Sequence, residues 1–177
     1  MNFEDRFFAE LKDVQDKFRR FSIIPKRNSV FCKVIHWVLW ALTWGHLDFL
    51  HRFHSTFGKT LYVAESWDHD TYGQRWVTLK HERVHLEQSK RCGLGLFWVG
   101  YVVFSLLYLF CLPFGLTLRS VFELEAYKEQ AFCARTAGYP VSRAHLRTLF
   151  TGPSYFWMCL SSKLVDRMLD EIPCLDP

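Results

Sequence analysis

His81-Glu82-Arg83-Val84-His85-Leu86-Glu87-Gln88 is the stretch on which the reading of this chain turns. Two histidines four apart on a helix stand one turn apart on the same face, so both imidazoles can reach one metal ion. Glu82 follows the first histidine directly, where a carboxylate can hold a metal-bound water rather than the metal itself. The segment continues a helical stretch that begins at Trp76 and carries Val77, Leu79 and Lys80. Before it, Trp67 to Gly73 has the composition of a loop and holds Asp68, His69 and Asp70. Before that loop, Thr60-Leu61-Tyr62-Val63-Ala64-Glu65 reads as a strand, β-branched and aromatic residues following Gly58.

A catalytic zinc takes three protein ligands and keeps one position open for water. Two ligands lie in the first motif, so a third has to come from elsewhere. Downstream, Phe122-Glu123-Leu124-Glu125-Ala126-Tyr127 falls on a helix expected over 120–137 and ended by Gly138 and Pro140. Glu123 and Glu125 occupy one helical turn but point roughly 200° apart. Either carboxylate is a candidate on the residues alone.

Between the two motifs, residues 92–118 contain no charged side chain. Length alone would make this a membrane span. A single crossing would put the His helix and Glu123 on opposite sides of roughly 30 Å of hydrocarbon. A zinc ion holds each ligand at about 2 Å, so the two readings exclude each other. Gly93, Gly95, Gly100, Pro113 and Gly115 allow bends, and the segment is expected to double back or fold into protein. A membrane surface or a protein partner at 92–118 is the corresponding partner expectation.

Outward from this centre the chain reads as helical. Phe3, Phe7, Leu11, Val14, Phe18 and Phe21 make one apolar stripe on a helix over 3–21. Ser22 to Ser29 reads as a connection, and 30–50 as a second helix rich in Val, Leu and Trp. The tail carries a short helix over Arg143–Phe150, a Gly152-Pro153 turn and a last amphipathic helix with Leu160, Leu164, Met168 and Leu169. Three segments follow: an N-terminal helical segment 1–57, a metal-binding core 58–138 with its apolar insert 92–118, and a C-terminal helical segment 139–177. The expected class is α+β and mostly helical, with a small β-sheet.

The 177 residues are 50% hydrophobic and only 23% charged, which rules out a disordered chain or a solvated coiled coil. The net charge of +4 is locally concentrated in Lys17, Arg19, Arg20, Lys26, Arg27 and Lys33. That cluster reads as a solvated face or as attraction to an anionic membrane. No Gly-rich phosphate loop or base-reading motif accompanies it, so nucleic acid is not expected as a partner. The six cysteines form no CxxC pair and read as small buried hydrophobes of a reducing, cytoplasmic compartment. The charged N-terminus does not have the pattern of a signal peptide.

HExxH followed by a helix with Glu-x-x-Ala-Tyr resembles the gluzincin branch of zincin metallopeptidases, in particular its small single-domain members. The resemblance covers about residues 58–138. It implies zincin-like active-site helices, a Zn2+ ion held by His81, His85 and Glu123, and Glu82 as general base. It implies Tyr127 behind the site, and the strand Leu61–Glu65 pairing with an extended peptide or protein substrate. Gln88 extends the first motif to HExxHxxQ, a pattern found in small members. His145 and Tyr155 are the candidate donors to the developing oxyanion. His69 in its loop, and His51 and His54 at a spacing of three, are weaker metal candidates. The expected activity is zinc-dependent peptide hydrolysis. The rival is a non-catalytic structural or assembly protein that keeps a zincin scaffold and uses its apolar surface for binding.

Overall fold

The computed structural model describes residues 1–42, 44–45, 48–94, 96–110, 118–152, 158–159 and 161–176. They form eight helices and one three-stranded sheet: α1 (Phe3–Lys17), β1 (Ser22–Pro25), α2 (Val30–Leu42), α3 (Phe49–Arg52), β2 (Ser55–Phe57), β3 (Thr60–Val63), α4 (Tyr72–Cys92), α5 (Phe97–Phe110), α6 (Leu118–Thr136), α7 (Arg143–Thr151) and α8 (Ser162–Asp170). The mostly helical α+β class is as expected. The chain divides into two compact units, Met1–Glu82 and Arg83–Pro177, and the division falls inside α4.

In the first unit α1 starts where Asn2 accepts a hydrogen bond from the Asp5 amide at 2.7 Å, a side-chain N-cap. The expected stripe is inside: Phe7, Val14, Phe18 and Phe21 are buried. The helix stops at Lys17 rather than 21, because Arg20 turns the chain in a left-handed conformation (φ 71°) and Phe21 leads into β1. Phe7 meets Trp67 edge-on at 6.0 Å between ring centroids. Buried Glu10 pairs with Lys80 at 2.8 Å, tying α1 to α4.

The sheet order is β1-β3-β2. β1 runs parallel to β3, with Ile23 opposite Leu61, and β2 runs antiparallel to it, with Thr56 opposite Leu61. Three expectations change here. Residues 1–57 are not a purely helical segment, since they supply two of the three strands; the β-branched pair Ile23-Ile24 makes a strand of the expected connection. The strand expected over Leu61–Glu65 is the central one: Thr60–Tyr62 is paired on both edges and Val63 on the β1 edge alone. The helix expected over 30–50 is two: α2 ends at Leu42, and the short α3 is capped by Asp48, whose carboxylate accepts from the His51 amide.

In the second unit the core gathers Leu124, Tyr127 and Ala131 of α6, Leu146 and Phe150 of α7, and Val165, Met168 and Leu169 of α8. α6 ends in a Schellman motif: the Tyr139 amide bonds the Ala134 carbonyl, the Gly138 amide bonds that of Arg135, and Gly138 has φ +86°. The turn from α4 into α5 is made by close backbone approach. A Cβ on Gly100 would lie 1.8 Å from the Ser89 carbonyl oxygen, and one on Gly93 would lie 2.4 Å from the Gly100 amide. Only glycine fits either place. Among the described residues no single helix is long and apolar enough to cross a membrane.

Candidate metal centre

α4 carries both histidines and α6 carries the acidic candidates. One ligand atom each from His81, His85 and Glu123 lies within 4.8 Å of the others. His85 Nε2 and Glu123 Oε1 stand 3.7 Å apart. Two ligands on tetrahedral bonds of about 2.1 Å stand roughly 3.4 Å apart, so this spacing needs little adjustment to hold a metal. Two imidazoles and one carboxylate leave a fourth position open, the donor set of a catalytic rather than a structural zinc. Glu123 is only 2% exposed, and both histidines are partly buried.

The choice between Glu123 and Glu125 is made by their neighbours. Glu125 accepts hydrogen bonds from Gln88 Nε2 at 2.9 Å and from Arg91 at 2.6 Å. Partial burial pushes its carboxyl upward, but those hydrogen bonds and the Arg91 charge bring it below the usual carboxylate range. Glu123 is the residue that joins the histidines.

Gln88 is almost wholly buried and works in three directions. Its Oε1 lies 2.9 Å from His85 Nδ1, and its Nε2 donates to the Phe122 carbonyl and to Glu125. An amide oxygen only accepts, so this contact assigns the proton to Nδ1 and leaves Nε2 as the metal-facing lone pair. The glutamine of the HExxHxxQ pattern therefore sets the tautomer of His85 and joins α4 to α6.

Tyr108 is the neighbour that the sequence reading lacks. From α5 its hydroxyl donates to Glu123 Oε1. Its ring meets that of His85 edge-on at 6.1 Å, and the Arg119 guanidinium lies 4.7 Å from the ring centroid. Phe104, one turn earlier, lies 6.0 Å from the His85 ring. The described part of the apolar insert thus comes back to the His81–His85–Glu123 group through Phe104 and Tyr108. A tyrosine in an uncharged run was the available signal, because a buried phenol has to find a partner.

Glu82, 6% exposed, accepts a hydrogen bond from Thr56 of β2 at 2.7 Å. Around it the first unit holds further polar groups. Lys26 is buried and donates to the Phe49 carbonyl at 2.9 Å and to Ser55 at 3.1 Å. Burial brings its ammonium down from 10.5 to about 8, against the pull of Cys32, Glu82 and Asp48. His54 accepts from the Ala64 amide at 3.2 Å and faces Asp70 at 3.9 Å. Burial lowers the His54 pKa and raises that of Asp70.

The other candidates fall elsewhere. His145 is exposed on the first turn of α7, and no described hydrogen bond or ion pair links it to the cluster. Tyr155 lies outside the described residues. Tyr127 is buried in the second unit's core, its ring 5.8 Å from that of Phe150. His69 is exposed, and His51 is held by Asp48 at 2.8 Å. Comparison with protein-family models, curated proteins and solved structures finds no match.

Proposed function

We propose that the chain is a zinc-dependent hydrolase of peptide bonds, with His81, His85 and Glu123 as metal ligands and Glu82 as general base. The observation that carries the reading is the convergence of those three donor atoms within 4.8 Å beside a buried glutamate. A bound Zn2+ would supply a Lewis acid that polarises the scissile carbonyl and acidifies a water. The protein's own groups do the rest. Gln88 orients the His85 ring, and Tyr108 orients the Glu123 carboxylate. Thr56 donates to Glu82 Oε2, which leaves Oε1 as the oxygen that would take the proton of the attacking water. Glu82 then passes that proton to the leaving amine, so the carboxylate is regenerated. The five described cysteines are all free, which fits a reducing compartment.

Metal analysis and peptide cleavage on the same preparations test this. Wild type should carry about one zinc per chain, and His85→Ala should lose it. Glu82→Gln should keep the zinc and lose about 100-fold or more in cleavage of a fluorogenic peptide mixture. A Gln variant as fast as wild type removes Glu82 from the mechanism. The exposed apolar helices favour a second reading, a non-catalytic assembly protein on the same scaffold. Zinc-loaded wild type that cleaves nothing, and is monodisperse only with lipid or a partner, would select it.

A further inference from the structure

α2 is apolar on both faces, yet among the described residues only one face is covered. Inward, Cys32 is buried with Phe49, and Ile35 and Leu39 pack against that pair. Outward, Val30, Phe31, Val34, Trp37 and Val38 are each more than half exposed, with Val34 at 56% and Trp37 at 64%. Trp40 is also exposed, and just past the helix Trp44 is 91% exposed while held at a left-handed φ of 53°. A helix apolar all round belongs inside a core or against lipid. Thirteen residues make about 20 Å of helix, too short for the roughly 30 Å of a bilayer core but suited to lying along its surface.

Basic residues border the outward face, while Asp48 meets the half-buried His36 of α2 at 3.9 Å. Within α2 the sole charged residue is Lys33, which is exposed. Phe31 packs edge-on to Phe57 at 5.3 Å, at the end of β2 that leads into the Gly58-Lys59 turn. Lys59 Nζ there bonds the Arg19 carbonyl at 3.4 Å, and Arg19 and Arg20 are exposed. An uncovered stripe of tryptophan, phenylalanine and valine beside Lys33, Lys59, Arg19 and Arg20 has the composition of an interfacial helix. The basic residues complement anionic headgroups, to which each exposed cation near the surface adds attraction.

We propose that the outward face of α2 docks on the surface of an anionic phospholipid bilayer, with Trp37, Trp40 and Trp44 at the headgroup boundary. The proposal is independent of the hydrolase reading, because its test uses neither substrate nor metal. The full chain is floated with vesicles of phosphatidylcholine alone and of phosphatidylcholine with phosphatidylserine. Wild type should float with the anionic vesicles, and the bound fraction should fall as salt rises. Val34→Glu with Trp37→Glu should lower the partition coefficient at least tenfold. Both side chains are exposed, so circular dichroism should stay as in wild type. Lys33→Glu with Arg19→Glu should lower binding several-fold on anionic vesicles only. Wild type that stays with the unbound protein overturns the proposal, and so does full binding by the Val34→Glu, Trp37→Glu variant. Light scattering that shows a dimer dissolved by that variant, without flotation, gives the face to a second copy and overturns it as well.

Discussion

α2 and α5 look alike as sequence, 13 and 14 residues of mostly valine, leucine, phenylalanine and tryptophan. Their surroundings separate them. The inner face of α5 delivers the Tyr108 hydroxyl to Glu123 and lays Phe104 against His85. The inner face of α2 joins an apolar cluster with Phe49, and the polar group associated with that cluster is the Lys26 ammonium, 3.5 Å from the centre of the Phe49 ring. Hydrophobic content therefore does not distinguish a helix whose inner face meets the His81–His85–Glu123 group from one whose inner face packs only on an apolar cluster. The polar atom each helix meets does.

The harshest way to break the contrast is at the α4–α5 corner. Gly100→Leu puts side chain where the Ser89 carbonyl sits, and overpacking of that kind should cost about 3 kcal/mol in urea unfolding. Val38→Leu on the exposed face of α2 should leave the urea midpoint unchanged. Next in size is Tyr108→Phe, which keeps the ring and deletes the donor to Glu123. Loss of an outer partner of a metal ligand should weaken zinc binding about 10- to 100-fold in a chelator competition.

A third test sharpens the α2 side through pH. Lys26 has a folded pKa of about 8, below its ordinary 10.5, so between those values the unfolded chain binds more protons than the folded one. Stability therefore rises as pH goes from 8 to 10.5, because the burial cost of the ammonium is relieved there. The rise is on the order of 1–3 kcal/mol by denaturant titration at several pH values. Lys26→Met should lack this rise, and an unchanged slope would show that Lys26 is not its source. The smallest expected effect is on zinc in the Val34→Glu, Trp37→Glu variant. Its zinc affinity should match wild type, whereas Tyr108→Phe should not.

What the sequence disclosed follows from range. The stripe of α1, the two-histidine turn of α4 and the Gly138 stop of α6 are local patterns, set by spacing within one or two turns. β1 and β2 are four and three residues long and owe their existence to β3, so no local period announces them. The decision for Glu123 over Glu125 depends on Gln88 and Arg91, more than 30 positions earlier. Tyr108 becomes a neighbour of the cluster only once the apolar insert has turned at Gly93 and Gly100.

The central position of β3 also sets an order of assembly. Its partner β2 is joined to it by a two-residue turn, so that ladder can close within microseconds of chain motion. The parallel ladder with β1 must wait for residues 26–59 to be gathered into one loop, at a larger entropic cost. α2 and α3 lie inside that loop, so their own folding shortens the free chain that β1 and β3 have to close.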